Sequence, residues 1–305
     1  MHSVLAPGQG SQTPGFLRPW LEVAGAKETL ERWSQLCDLD LVHLGTEADK
    51  DEITDTSRTQ PLMVAAGILA ADHLPDDFAG VVAGHSVGEL TAAYLAGVLS
   101  ADNAVMLAAI RGRAMAEACA LIPTGMSAVL GGNPDEVLAA IESAGAYPAN
   151  QNGGGQVVAA GTLEALEKLA AAPPQKSRIR PLAVAGAFHT PFMHTAHEKL
   201  STAAADMDFA DPKVTWLSNY DGTPVTSGTD ARTRLVEQVT APVRWDACVE
   251  GLRQRDVSGM VELPPAGALA GMVKRQLKGV PVIKLNTPDD LDSVTELPDQ
   301  AEDAQ

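Results

Sequence analysis

Ala79-Gly80-Val81-Val82-Ala83 leads into Gly84-His85-Ser86-Val87-Gly88, and the run Glu89-Leu90-Thr91-Ala92-Ala93-Tyr94-Leu95-Ala96-Gly97-Val98-Leu99-Ser100 follows at once. Small and β-branched residues, then Gly-x-Ser-x-Gly, then strong helix formers, is the strand, sharp turn and helix that a nucleophile elbow requires. Ser86 falls on the turn. The flanking glycines fit a strained backbone whose neighbours pass too close for side chains. A hydroxyl there stands at the carboxyl end of a parallel strand, with a helix N-terminus behind it to stabilise developing negative charge. The stretch therefore predicts an α/β fold, and the alternative for Ser86 is a Gly-Ser turn without chemistry.

The chain has 305 residues, enough for a sizeable core and for one large domain with an embellishment. Its longest apolar run, Leu62 to Ala71, is too short to cross a bilayer, and Met1-His2-Ser3 opens no secretory pattern. Cys37, Cys119 and Cys248 are odd in number, widely spaced and without a C-x-x-C, so a reducing cytoplasmic location is expected and a zinc site is not. A net charge of −17 argues against nucleic acid. Seven of the acids lie between Asn286 and Gln305, which contain no Lys or Arg; residues 286–305 read as a solvated, poorly ordered tail, leaving about −10 for the body.

Upstream of the elbow, Val4-Leu5-Ala6 is a strand candidate that runs into Pro7-Gly8-Gln9-Gly10-Ser11-Gln12. The glycines on either side of Gln9 allow close backbone approach, and a second oxyanion donor commonly comes from a loop after another strand, so the Gln9 backbone N–H is a candidate. The segment fails as a dinucleotide fingerprint, because no third glycine and no immediate helix follow. Thr59-Gln60-Pro61 precedes a predicted helix over Leu62 to His73, with Pro61 in its first turn and Gln60 at its start. Downstream, a helix is predicted from Ala101 to Leu121, capped by Ser100 or Asp102. Arg111 leaves that helix among Leu107, Ala108, Ala114 and Met115, and a charge on an apolar face needs an anion. That anion is either an acid from elsewhere in the fold or a ligand carboxylate held by the guanidinium fork.

From 125 to 189 the pattern changes to β-α-β-β-α-β, the ferredoxin-like order. Turn signals at Pro123-Thr124-Gly125 and Thr190-Pro191 mark it as an insert, so the chain divides into a large domain (1–124 and 190–285), a subdomain (125–189) and the tail. Asn152-Gly153-Gly154-Gly155-Gln156 is its flexible tip. Its last strand, Ile179 to Phe188, is predicted to deliver His189 from a strand end toward Ser86, before Thr190 as cap and Pro191 at a helix start. His194 and His197 stand at helical spacing without a third ligand and read as polar helix residues.

These residues, with Arg111-Gly112, Gln156-Val157-Val158, Ala187-Phe188-His189, Pro242-Val243-Arg244-Trp245 and Glu262-Leu263-Pro264-Pro265, resemble the ordered motifs of malonyl-CoA:acyl carrier protein transacylases, over residues 4 to about 285. The departures, Glu262-Leu263-Pro264-Pro265 where many members have Glu-Val-Gly-Pro and the Gly153-Gly154-Gly155 run, concern loop shape. The resemblance implies an α/β-hydrolase-like large domain with an inserted ferredoxin-like subdomain and the active site in the groove between them. It implies Ser86 as nucleophile and His189 as base. The Gln9 and Val87 N–H groups would form the oxyanion hole, and Arg111 would hold the malonyl carboxylate. Gln60, Asn152, His85 and Phe188 would line the substrate site. It further implies that a backbone carbonyl near Arg244 orients the histidine.

On this reading Ser86 takes the malonyl group from malonyl-CoA and the phosphopantetheine thiol of acyl carrier protein removes it, with no metal and no cofactor. Fatty acid and polyketide synthesis are both served by such a step. A serine hydrolase is the competing class and would need an acid between Ser86 and His189, for which Asp102, Asp135 and Glu142 are available. The carrier protein, acidic as a family, would dock on a local basic patch, either Lys176, Arg178 and Arg180 or Lys274, Arg275 and Lys278. A monomer is expected. Phe188, immediately before the histidine as in the malonyl-specific members of related acyltransferases, is expected to exclude an α-methyl group.

Overall fold

The structure, a computed structural model, describes residues 1–298. Nine strands are present among them: β1 (His2–Ala6), β2 (Ala79–Gly84), β3 (Thr124–Gly131), β4 (Tyr147–Gly153), β5 (Gln156–Thr162), β6 (Ser177–Pro181), β7 (Thr215–Leu217), β8 (Gly259–Glu262) and β9 (Val282–Lys284). They divide into two sheets, ordered β7-β2-β1-β8-β9 and β4-β5-β3-β6. The first is parallel throughout and the second antiparallel throughout.

A parallel sheet must be covered on both faces, and the pleat of β1 shows how. Val4 and Ala6 point into one core with Trp33, Leu62 and Leu90; Leu5 joins Val81, Ala83, Trp245 and Leu269 in the other. The helix Thr56–Ala71 has no polar face to offer water, since fourteen of its residues are buried, and it packs against the helices Ala101–Leu121 and Gly88–Leu95. The antiparallel sheet has its own core of Val129, Val137, Ile141, Leu166 and Leu169, supplied by the helices Pro134–Ser143 and Leu163–Ala171. Its outer strand β4 bridges to Val243, just before the helix Trp245–Arg253. Val243 N donates to Ala149 O and Val243 O accepts from Gln151 N, both at 2.9 Å.

In the parallel sheet the carboxyl ends of β7, β2 and β1 lie side by side, which brings the Asn219, Ser86 and Gln9 segments together at one rim. Three local expectations change. The Thr56–Ala71 helix begins five residues before Pro61, because the Asp55 side chain accepts from Ser57 N and nucleates it earlier; Gln60 thus lies in its second turn. β6 stops at Pro181, and the last ladder bond there is Leu182 N to Met126 O, so His189 arrives from an irregular segment rather than a strand end. Residues 286–298 are built into the fold instead of trailing from it. Val294 is 2% exposed and Leu297 8%, Trp20 Nε1 donates to Asn286 O at 3.0 Å, and the Asp290 carboxylate accepts from Asn286 and Thr287. Two apolar residues were enough to anchor an otherwise acidic stretch; residues 299–305 of the expected tail lie outside the described residues.

Candidate active site

The elbow is formed by contact as much as by sequence. A Cβ on Gly84 would lie 2.1 Å from Gly88 O, and one on Gly88 would lie 2.2 Å from Ala6 O. Neither position has room for a side chain, so the turn closes on β1 and forces Ser86 to φ 54°, in the left-handed region that costs a non-glycine residue about 1–3 kcal/mol. Ser86 N donates to Asn219 Oδ1 (2.8 Å), Gly88 N to His85 O (3.0 Å) and Glu89 N to Ser86 O (3.0 Å). Val87 N–H is left without an intramolecular partner among the described residues, at the start of the helix Gly88–Leu95. The Gln9 loop lies against this turn, since a Cβ on Gly8 would fall 2.7 Å from His85 O, and the Gln9 N–H is also unpaired among the described residues.

Ser86 Oγ is 2.7 Å from His189 Nε2. His189 Nδ1 is 2.8 Å from Gln238 O. A carbonyl can only accept, so Nδ1 carries the proton and Nε2 is bare, ready to take the serine proton. The orienting carbonyl is that of Gln238 rather than one near Arg244; Val243 O instead accepts from Gln151 N (2.9 Å) and Arg244 O from Cys248 N (3.1 Å). Burial, then the positive charge of Arg111, pushes the His189 pKa down to about 3, so the imidazole is neutral across the physiological range. Asp102, the first of the acids weighed for a hydrolase triad, accepts Trp33 Nε1 at 2.9 Å and does not reach the histidine.

Arg111 is 2% exposed, and no carboxylate of the described residues touches it. Nη1 donates to Gln60 Oε1 (2.7 Å); Nη2 donates to Gln238 Oε1 (2.8 Å) and to Ser86 Oγ (3.2 Å). Of the two expectations for its anion, a direct acid partner is not met among the described residues. The charge is braced by two neutral amides beside Ser86, and burial lowers its pKa to about 10. Glu89, fully buried, compensates at one remove, with Gln238 between them.

The remaining expected residues lie around this centre. His85 Nε2 is 2.9 Å from Asn152 Oδ1, linking elbow and insert tip, and the His85 ring lies 5.7 Å from that of Trp245. Asn152 O accepts from Gln276 Nε2 at 3.0 Å. Phe188 is buried in the main core directly before His189. Sequence reasoning missed Glu89, Asn219 and Gln238 as site residues. Glu89 was quoted in the elbow, and Asn219 follows β7 at the rim where Ser86 sits; Gln238 carried no signal, because its role depends on a loop meeting His189 from the far side. Among the described residues no cluster of three or more metal-ligating side chains occurs, and no helix is long and apolar enough to cross a membrane.

The model of the acyl transferase domain family matches residues 5–298. The chain is 55% identical over 302 residues to the malonyl CoA-acyl carrier protein transacylase of Mycobacterium bovis, covering 97% of this chain and all of that one. It is 33% identical to the protein of the same name from Escherichia coli, over 95% of this chain and 97% of the relative. Among solved structures, MCAT from Mycobacterium tuberculosis superposes with a TM-score of 0.93 at 54% identity, covering 96% of this chain and 99% of the other. A malonyl-transacylase solved in complex with a type II PKS acyl-carrier protein superposes with a TM-score of 0.89 at 29% identity, covering 97% and 99%.

Proposed function

The chain belongs to the acyl transferase domain family, and from that premise we infer its reaction: it transfers a malonyl group from malonyl-CoA to the phosphopantetheine thiol of an acyl carrier protein. The observation that carries this reading is the position of Arg111, a buried cation without an acid partner, 3.2 Å from the nucleophile. An acyl group on Ser86 that ends in a carboxylate replaces the missing anion.

Ser86 Oγ attacks the thioester carbonyl as its proton passes to His189 Nε2, while Nδ1–H stays on Gln238 O. The oxyanion is held by the Val87 and Gln9 N–H groups, which have no other partner to give up. The imidazolium returns its proton to the CoA sulfur, and CoA leaves. The carrier thiol then attacks the malonyl ester with His189 as base, which regenerates Ser86. Gln60 braces Arg111, and His85 with Asn152 walls the entry; both are read as substrate-site residues, as is Phe188. The serine and histidine suffice for this chemistry, so we assign it no cofactor and no metal.

We read the parallel sheet as an α/β-hydrolase-like large domain and the antiparallel sheet, with its β-α-β-β-α-β succession, as a ferredoxin-like insert over 125–189. The protein is read as a cytoplasmic monomer. The carrier protein is proposed to dock on exposed cations beside the groove. Lys274 and Arg275 lie on the helix Ala268–Gln276, whose Gln276 touches Asn152, and Lys176, Arg178 and Arg180 lie on or beside the edge strand β6. Intact-mass analysis after mixing with malonyl-CoA tests the whole reading. A malonyl adduct on Ser86 that a carrier protein discharges is expected, with discharge but not loading slowed when one cation cluster is reversed to Glu. No adduct, or one released only to water, refutes transfer; discharge that neither reversal slows refutes the docking patch.

A further inference from the structure

Glu89 is 0% exposed on the first turn of the elbow helix, and both of its oxygens meet donors. Oε1 accepts from Asn219 N at 2.8 Å, and Oε2 accepts from Gln238 Nε2. Each of these partners reaches the reacting groups. Asn219 holds the Ser86 turn from both sides, with Oδ1 accepting Ser86 N (2.8 Å) and Nδ2 donating to Gly84 O (2.6 Å). Gln238 donates Nε2 to Ser86 O (3.0 Å), accepts Arg111 Nη2 on Oε1 (2.8 Å), and offers its backbone carbonyl to His189 Nδ1 (2.8 Å).

A glutamine amide is nearly symmetric in shape, so only its neighbours decide which end carries oxygen. The guanidinium of Arg111 is a donor at one end, and at the other end an ionised Glu89 is an acceptor with no hydrogen to offer. On the reaction assigned above, we infer that Glu89 is a positioning residue: its carboxylate fixes the amide of Gln238 and the peptide of Asn219, and through them keeps Ser86, His189 and Arg111 in register. Replacing it with glutamine leaves Asn219 N–H demanding the new side-chain oxygen, which turns an NH₂ group toward the NH₂ of Gln238. Either two donors face each other, or Gln238 flips and turns its NH₂ on Arg111 and its oxygen on Ser86 O. Protonation of Glu89 weakens the same contacts. Burial raises its pKa to about 7 against the opposing pull of Asn219, Gln238, Ser218 and Arg111. The other titratable groups around it are His189 and His85 from the rim and Cys248 from the helix Trp245–Arg253; burial lowers both histidine pKa values and raises the thiol's, so all three move away from neutrality.

Single-turnover malonylation of Ser86, followed by quenched intact mass, gives kcat/KM for the loading half-reaction of the full chain between about pH 5.5 and 9. Wild type is expected to lose rate on the acid side of neutrality. E89Q is expected to be about 10- to 100-fold slower, the scale of a small misplacement of reacting groups, with that acid limb gone. Q238L keeps the backbone carbonyl for His189 but removes a donor that favours ionised Glu89, so its limb should move to higher pH. E89Q within twofold of wild type, an acid limb that survives in E89Q, or an unmoved limb in Q238L overturns the inference. Failure of wild type to form the malonyl adduct refutes the transferase reading instead.

Discussion

Replacing Arg111 with alanine separates a carboxylate clamp from a structural cation. The guanidinium is almost fully buried, is braced at 2.7 and 2.8 Å by two amide oxygens, and reaches Ser86 Oγ at 3.2 Å, so the Nη2 edge of the fork lies beside Ser86. A malonyl carboxylate entering there gains a charge-assisted, forked contact, and truncating one member of such a buried pair costs about 2–5 kcal/mol. At 1.36 kcal/mol per decade that is roughly 30- to 5,000-fold in kcat/KM for malonyl-CoA. Acetyl-CoA brings no carboxylate, and for it the same replacement removes an uncompensated charge from the acyl site, so acetyl transfer is expected to hold or rise. The loss of Arg111 also strands Gln60 Oε1 and Gln238 Oε1, at about 1–3 kcal/mol each, offset in part because a desolvated cation disappears. The assay is the ratio of malonyl to acetyl adduct on Ser86 under matched single-turnover conditions, with a thermal melt of the same preparation. A drop in malonyl transfer matched by an equal drop in acetyl transfer, or a lowered melting temperature with the ratio unmoved, refutes the clamp.

Phe188→Ser should raise methylmalonyl relative to malonyl transfer, since an added methyl in a packed site costs roughly 1–3 kcal/mol, on the order of 10- to 100-fold; an unchanged ratio of kcat/KM values would leave Phe188 as core packing only. Stability should weaken in acid through His189. Its folded pKa lies near 3, below the unfolded value of about 6.5, so the unfolded chain takes up a proton that the folded site refuses, and the contribution is whole above 6.5 and drains away as pH falls toward 3. Glu89 runs the other way over its own window, whole below 4.5 and lost as pH rises through about 7. Chemical denaturation between pH 3 and 4.5, where Glu89 is protonated in both states, should therefore show a shallower acid loss for His189→Asn than for wild type, and parallel curves would contradict the assignment.

The elbow was legible in the sequence because its determinants are local: two glycines four residues apart in a strand-to-helix junction, each with a backbone contact that tolerates no Cβ. Arg111 was legible for a similar reason, as a charge out of place on an apolar helix face. The elements of the antiparallel sheet were also legible, since each carries its own period and caps. What escaped was everything decided by distant segments meeting. The orienting carbonyl was expected near Arg244 from the resemblance, whereas the chain presents Gln238 O a few residues earlier. The early start of the Thr56–Ala71 helix turns on a single aspartate cap that outweighs a proline. The stretch 286–298 was misjudged because charge dominates its composition, while Val294, Leu297 and the Trp20 contact to Asn286 decide its placement.

Ser86 and His189 both sit at positive φ, 54° and 60°, and no other pair of groups in the site is as dependent on backbone shape. Each conformation runs against the intrinsic preference of its residue by about 1–3 kcal/mol, and each is maintained by neighbours with no freedom to yield. The nucleophile and its base are thus spring-loaded parts held by the rest of the molecule, and glycine at either position would relax the chain while ending its chemistry. Selection for thermal robustness alone would erode this protein's two most important residues first. Any effort to harden the scaffold has to seek its gains in the helices and in the Val243 seam, and leave the rim of the parallel sheet as tense as it is.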